Sequence, residues 1–232
     1  MITSLPGGIA IHTAFATPVR ATAPDIEGDE GFLVLVRSPI KPEEADDHVA
    51  RVTHSIESYI SSLPGYISGN LHVRLDKREF LNYTEWKTEK HYDDFIVSLE
   101  EERGRVVVEN VRYVPDMIRY RYHETLFPES ITGKPPSTGF AAVIRAEVEP
   151  GQAEDAYQSI RQYILGSICC PGFISASLHI KLDDTEMMSY MEWKSEADYD
   201  AFVKTAELHD RPALKAEKFT RVRALRASQK NN

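Results

Sequence analysis

The chain contains two copies of one long sequence pattern, and this internal repeat constrains the fold more than any other feature. The stretch Pro64–Asp76 aligns with Pro171–Asp183, and the two differ mainly by conservative substitutions. The alignment continues through Tyr83–Phe95 and Tyr190–Phe202, with about half of the positions identical. Because the period is close to half of the 232-residue chain, it indicates duplication of a whole domain rather than a short-period solenoid.

The repeat predicts two domains of similar size, residues 31–127 and residues 139–228. Each spans about 95 residues, a normal size for one domain. Residues 128–138 are rich in Gly, Pro and Ser and are predicted to be a linker. Residues 1–30 have no counterpart in the second half, so we predict an N-terminal extension that either adds a strand to a neighbour or covers the first domain.

Each repeat follows the order strand, helix, strand, strand, helix, strand. The apolar run Phe32–Arg37 predicts a buried strand, and apolar residues at helical spacing follow Pro42. After the Pro64-Gly65 turn, two strand-like runs predict a hairpin. This βαββαβ order is the ferredoxin-like split motif, so we predict an α+β fold made of two tandem ferredoxin-like domains.

The second hairpin strand carries bulky side chains on both of its faces. One face presents Phe80, Asn82, Thr84 and Trp86, and the other presents Leu81, Tyr83 and Glu85. Helices can cover one face, but another sheet must cover the second, and the other repeat is the nearest source of such a sheet. We therefore predict that the two repeats pack sheet to sheet.

Net charge and cysteine content narrow the range of partners. A formal net charge of -9 disfavours binding to nucleic acid or to an anionic membrane surface. The adjacent Cys169 and Cys170 offer neither a disulfide framework nor a zinc site, which favours a reducing, cytoplasmic compartment. No apolar run approaches the roughly 18 residues of a membrane span, and Met1–Ala16 lacks the positive region of a secretion signal.

Several motifs in the repeats resemble the antibiotic biosynthesis monooxygenase family. They are the Pro-Gly-aromatic-Ile-Ser turn, the Leu-His-hydrophobe strand, and the Asn-Tyr-x-Glu-Trp strand followed by a tyrosine. Members form dimeric α+β barrels, so the resemblance implies that this chain builds a pseudo-dimeric α+β barrel from its own halves. It also implies a monooxygenase that oxidises an anthrone-like or polyketide-like phenol to a quinone with O2, without flavin, haem or metal.

The resemblance also implies the site residues, which we expect in the first repeat. The catalytic positions fall on His72, Asn82, Trp86, Tyr92 and Arg103, and the substrate-binding positions on Phe80, Thr84 and Arg105. The second-repeat equivalents are His179, Ser189, Trp193, Tyr199 and Arg211. Because Ser189 lacks the amide of Asn82, we expect the first repeat to carry the chemistry and the second to support it.

These residue types suit a reaction that proceeds through a substrate anion. Triplet O2 reacts poorly with closed-shell organic molecules, but an electron-rich phenolate or enolate can transfer one electron to it. A histidine such as His72 can accept the substrate proton. The amide of Asn82 and the indole N–H of Trp86 can stabilise the resulting oxyanion, while Tyr92 orients a phenol.

Structural roles remain open for the same residues. Trp86 and Trp193 would also serve as core anchors, and His72 and His179 as hydrogen-bonded sheet histidines. The carboxylates that precede the two tryptophans lie on the opposite strand face and are predicted to form ion pairs; they are Glu85 and Glu192.

The same fold also admits other functions. The alternative from a different class is a non-catalytic module that binds a small molecule or supports assembly, and association of two chains is left open. Haem degradation is disfavoured, since the segments 95–97 and 202–204 contain no histidine where such an enzyme would hold its haem ligand.

Overall fold

The fold consists of two βαββαβ units and one additional strand. The computed structural model describes residues 19–22, 31–105, 116–128, 139–205 and 215–228. The strands are β1 Val19–Thr22, β2 Phe32–Pro39, β3 Tyr66–Arg74, β4 Glu79–Trp86, β5 Asp116–Pro128, β6 Gly139–Glu147, β7 Phe173–Lys181, β8 Glu186–Trp193 and β9 Lys215–Arg226. The helices are α1 Ala45–Ser58, α2 Glu89–Arg105, α3 Ala153–Ser167 and α4 Glu196–Thr205. None of the helices in this part of the chain is long and apolar enough to cross a membrane.

The strands form one sheet that closes on itself. Its order is β1-β5-β2-β4-β3-β9-β6-β8-β7, and β5 pairs additionally with β7. Eight strands therefore form a barrel, and two antiparallel seams, β3 with β9 and β5 with β7, join one repeat to the other. The predicted pair of ferredoxin-like units in a pseudo-dimeric α+β barrel is confirmed.

Part of the N-terminal extension adds a strand to the same chain. Strand β1 pairs antiparallel with the end of β5, with Val19 opposite Pro128 and Thr22 opposite Thr125. The other residues of the predicted extension and residues 129–138 of the predicted linker lie outside the described part of the chain.

The sheet is buried on both faces, as the alternation in β4 predicts. Phe80 and Trp86 face the helices of the first repeat, whereas Leu81 and Tyr83 face the barrel interior. The second repeat has its own layer between sheet and helices. The barrel interior is filled by Leu33, Leu35, Leu81, Tyr83, Tyr120, Ala141, Val143, Met188, Tyr190 and Phe219.

Two reciprocal histidine–tyrosine hydrogen bonds cross the barrel interior. His72 Nε2 lies 2.8 Å from the Tyr190 hydroxyl, and His179 Nε2 lies 2.8 Å from the Tyr83 hydroxyl. The Tyr83 and Tyr190 rings pack with their centroids 4.5 Å apart. Burial lowers the pKa of both histidines to about 3, so both are neutral at physiological pH. Each repeat thus supplies a tyrosine that hydrogen-bonds the buried histidine of the other repeat.

The two carboxylates beside the barrel ends have different partners. Glu192 forms a buried ion pair with Arg221 and accepts a hydrogen bond from Ser175, so its predicted ion pair is confirmed. Glu85 accepts a hydrogen bond from Ser68. The difference follows from the seams, because Arg221 pairs opposite His72 whereas Tyr122 pairs opposite His179.

The buried histidines make stability depend on pH. The pKa of a histidine in the unfolded chain is about 6.5, whereas the pKa of His72 and His179 in the fold is about 3. Protonation in this interval favours the unfolded chain, so the free energy of unfolding falls as pH is lowered, by up to about 1.4 kcal/mol per pH unit per histidine. In His179→Gln, the free energy of unfolding should depend less steeply on pH by that amount. Urea denaturation at several pH values measures it.

The symmetric substitution His72→Gln should reduce the slope equally, because the glutamine amide can still hydrogen-bond the facing tyrosine. A slope between about pH 5 and about pH 6.5 that is unchanged in both variants would contradict the burial of neutral histidines in the barrel.

Candidate active site

A β-bulge in β3 decides which side chains meet between the sheet and the helices of the first repeat. Tyr66 pairs with Trp86, but Ser68 pairs with Glu85, so the register shifts by one residue between them. Tyr66 therefore faces the helices together with Trp86. His72 pairs with Leu81 and faces the barrel interior.

The structure does not bring His72 together with the other predicted catalytic residues. The side chains of Asn82 and Trp86 project from the helix-facing side of β4, whereas the side chain of His72 projects from the opposite face of the sheet. His179 in the second repeat likewise lies in the barrel interior. The side chains of Arg103 and Arg105 and the whole of Arg211 lie outside the described residues.

Trp86 is the centre of an aromatic cluster between β4 and α2. Its ring meets Tyr66 at 5.4 Å and Tyr92 at 5.6 Å, both edge to face, and stacks on Phe95 at 5.3 Å. The Tyr92 hydroxyl donates to the sulfur of Met117 at 3.1 Å, and burial raises the pKa of Tyr92 to about 12. Tyr92 is therefore a neutral phenol held by a weak acceptor, which a better acceptor could replace.

Phe80 and Thr84, the predicted substrate-binding residues of β4, lie in the same layer and have different contacts. Phe80 packs edge to face on His48 of α1 at 4.6 Å. The Thr84 hydroxyl donates to the carbonyl of Val34 at 3.2 Å, so it is already bound by the protein.

Four polar atoms of the first repeat are buried in this region without a hydrogen-bond partner in the described structure. They are Thr53 Oγ1, Tyr66 Oη, Asn82 Oδ1 and Trp86 Nε1. Leaving such an atom unpaired costs about 1–3 kcal/mol. A ligand that supplies hydrogen-bond partners would recover part of this cost, which makes the layer a candidate binding site.

Unpaired polar atoms alone do not distinguish the two repeats, because Ser189 Oγ and Trp193 Nε1 are buried in the same state. The repeats differ in which side chains fill the layer, although Phe80 and Thr84 are buried as their counterparts are. Met187 and Met191 occupy the positions of Phe80 and Thr84 and are fully buried, and a flexible thioether fills gaps well. Ser189 is also fully buried, whereas Asn82 is only half-buried.

The edges of the two layers differ as well. In the first repeat a groove of about 390 Å³ runs between α1 and the end of β9, within the size range of small-molecule sites. Thr53, with its unpaired hydroxyl, lines it. At the corresponding edge of the second repeat, Glu124 of β5 accepts hydrogen bonds from Tyr157 and Arg161 of α3. A groove thus lies at this edge of the first repeat, whereas polar contacts bridge the same edge of the second.

The barrel interior offers much less space. A cavity of about 30 Å³ at one end is bordered by Glu85, Trp86, Tyr122 and His179. This volume suits a water-sized molecule and excludes a fused aromatic ring system. The described residues also contain no group of three or more His, Cys, Asp or Glu side chains placed to hold a metal ion.

One cationic side chain near the site was not predicted from the sequence. Arg119 of β5 lies 5.3 Å from the centre of the Tyr92 ring and forms ion pairs with Glu89 and Asp93 of α2. The sequence signal for this cation was the pair of acids four residues apart on the helix, Glu89 and Asp93. In the second repeat Lys218 has the same place, over Tyr199 and paired with acids of α4, so we interpret this cation as a clamp between helix and sheet.

Comparison with known proteins agrees with this architecture. The sequence model of the antibiotic biosynthesis monooxygenase family matches residues 31–98 and 139–211, more than half of the chain. The chain belongs to this family. A 55-residue segment is 33% identical to tetracenomycin-F1 monooxygenase of Streptomyces glaucescens. That segment covers 24% of this chain and 46% of the relative, so the match spans about half of that protein.

Solved structures of family-like proteins share the fold over nearly the whole chain. An anthrone oxidase-like protein aligns with a TM-score of 0.69 and 15% identity, over 92% of this chain and 98% of its own. A proposed monooxygenase from Fusobacterium nucleatum aligns with a TM-score of 0.62 and 9% identity, over 85% and 94% respectively. At these identities the similarity establishes the fold alone.

The unpaired amide oxygen of Asn82 predicts an unusual response to mutation. Asn82→Leu removes a buried polar atom that has no partner, so the free energy of unfolding should stay unchanged or rise by up to about 1 kcal/mol. Thr84→Val on the same strand face is the control, and it should lose about 1 kcal/mol with its bond to Val34. Chemical denaturation measures both, and an equal loss in Asn82→Leu would show that the amide stabilises the fold.

Proposed function

We propose that this member of the antibiotic biosynthesis monooxygenase family uses O2, without a cofactor, to oxidise an anthrone-like or related polyketide-like phenol to a quinone. The site is the layer between β4 and the helices of the first repeat. The observation that carries the proposal is the buried, unpaired state of Trp86 Nε1 and Asn82 Oδ1 in one layer. Thr53, whose hydroxyl is also unpaired, lines a groove at the edge of the same repeat. The relatives named as a tetracenomycin-F1 monooxygenase and an anthrone oxidase-like protein support this substrate class.

The protein groups stabilise the substrate as an anion. Trp86 Nε1 donates a hydrogen bond to the oxygen on which negative charge develops, and Asn82 Oδ1 accepts one from a phenol hydroxyl of the substrate. In a layer shielded from water, such bonds are stronger than in solution. The bond from Trp86 Nε1 lowers the pKa of the bound substrate, because it strengthens as negative charge develops, and the proton leaves to solvent through the edge of the layer. The bond to Asn82 Oδ1 orients the substrate through a hydroxyl that keeps its proton.

The reaction needs only the substrate and O2. The anion transfers one electron to O2, and the resulting substrate radical and superoxide combine into a carbon-bound peroxide, which takes up a proton. Loss of water then converts the original CH2 group into C=O, with one oxygen atom in the product and the other in water. The aromatic layer around Trp86 orients the ring system and excludes bulk water during these steps.

His72 has no part in this mechanism. Its side chain lies on the other side of the sheet, is fully buried and hydrogen-bonds Tyr190. We therefore assign His72 and His179 to the stability of the barrel and replace the predicted histidine base by stabilisation of the substrate anion itself.

Oxygen uptake with a dihydroxyanthrone tests the proposal, and the second repeat supplies matched controls. Trp86→Phe removes the indole donor but keeps an aromatic ring, and should lower kcat by about 100-fold, the typical effect of losing an oxyanion donor. Asn82→Ala should lower it as well. Trp193→Phe and Ser189→Ala make the equivalent changes in the second repeat and should leave kcat unchanged.

Three other outcomes are informative. Oxygen uptake by the intact protein no faster than in buffer would reject the reaction for this substrate class. Equal losses in Trp86→Phe and Trp193→Phe would show that both repeats act. Tight binding of the quinone product without any oxygen uptake would favour the non-catalytic binding module.

A further inference from the structure

Gly69 and Tyr66 create a local arrangement that the family motifs do not describe. A Cβ atom placed on Gly69 would lie 2.7 Å from the Tyr66 hydroxyl, 3.5 Å from Asn82 Oδ1 and 3.6 Å from Ile56 Cδ1. The hydroxyl of Tyr66 and the amide oxygen of Asn82 therefore converge on one point above Gly69. Without a side chain at residue 69, the Tyr66 ring can lie across β3 from Trp86 towards Asn82.

The second repeat shows that the fold does not require this arrangement. Phe173 replaces Tyr66 and Ala176 replaces Gly69, and Phe173 keeps the same edge-to-face contact with Trp193, at 5.2 Å. Gly69 pairs across the sheet with Thr84, whereas Ala176 pairs with Met191. The hydroxyl, the space beneath it and the amide are thus present together in one repeat and absent together from the other.

Packing does not account for the Tyr66 hydroxyl. The side chain is 4% exposed, and the hydroxyl is buried without a hydrogen-bond partner among the described residues. Phenylalanine would provide the same ring contacts without the cost of burying an unpaired hydroxyl, as Phe173 does. Burial also raises the pKa of Tyr66, so the hydroxyl keeps its proton and can donate it in a hydrogen bond.

We infer that Tyr66 is a further substrate-binding residue, whose hydroxyl, held above Gly69, hydrogen-bonds an oxygen substituent of the aromatic substrate. The inference rests on the proposed function for its substrate class. Trp86 Nε1 and the Tyr66 hydroxyl are two separate unpaired donors, so together they select a ring system with at least two oxygen substituents. Gly69 is the specificity-determining position, because any side chain there displaces the hydroxyl.

Calorimetric titration with a dihydroxyanthraquinone tests the inference without turnover, since this probe is already oxidised. Tyr66→Phe should raise Kd by about fivefold, the typical effect of one lost hydrogen bond. Gly69→Ala should raise Kd at least as much, because the new methyl group displaces the hydroxyl. Ala176→Gly, the matched change in the second repeat, should leave Kd unchanged.

A stability measurement separates substrate binding from a structural role. Tyr66→Phe removes an unpaired buried hydroxyl, so its thermal midpoint should stay unchanged or rise while its affinity falls. A lower midpoint with unchanged affinity would overturn the inference, and so would a failure of the intact protein to bind the quinone.

The same titration distinguishes this inference from the proposed reaction. Weaker quinone binding by Tyr66→Phe, in a protein that consumes no O2 with the anthrone, would keep the binding role and reject the oxygenase. Unchanged Kd in Tyr66→Phe and Gly69→Ala, with oxygen uptake intact, would reject the role of Tyr66 and keep the reaction.

Discussion

Closure of the barrel through the two seams between the repeats is the constraint on which the rest of the structure depends. Strands β3 and β9 form one seam, and β5 and β7 form the other, so each repeat completes the sheet of its partner repeat. Closure buries one face of every barrel strand, and the His72–Tyr190 and Tyr83–His179 pairs satisfy polar groups inside. Since side chains of the described residues fill most of the interior, we place the substrate between the sheet and the helices.

Duplication gives the chain two such layers, and the two layers differ in their side chains at several matched positions. Asn82, Gly69 and Tyr66 provide polar atoms and space in the first repeat. In the second repeat, Met187, Ser189 and Met191 stand at the positions of Phe80, Asn82 and Thr84, and all three are buried. Both layers contain buried polar atoms without a partner, so the proposed division of roles rests on the combination of Tyr66, Gly69 and Asn82, which only the first repeat has.

The sequence predicted the fold well because the repeat, the strand periodicity and the two-sided burial of β4 are all local patterns. It also placed Trp86 and Asn82 on one strand face, which needs only alternation along an unbroken strand. It could not place His72, because the bulge between Tyr66 and Ser68 shifts the alternation of β3 by one residue. Nor could it show that the Tyr66 hydroxyl is unpaired, since that depends on contacts between distant segments.

The most direct measurement is a crystal structure of the intact chain with a dihydroxyanthraquinone bound. The division of roles predicts one quinone per chain, between β4 and α1, with its oxygen atoms within hydrogen-bond distance of Trp86 Nε1 and the Tyr66 hydroxyl. It also predicts that the layer beside Trp193 remains filled by its own side chains. A quinone bound beside Trp193, or in the barrel interior beside His72, would contradict a single working site in the first repeat.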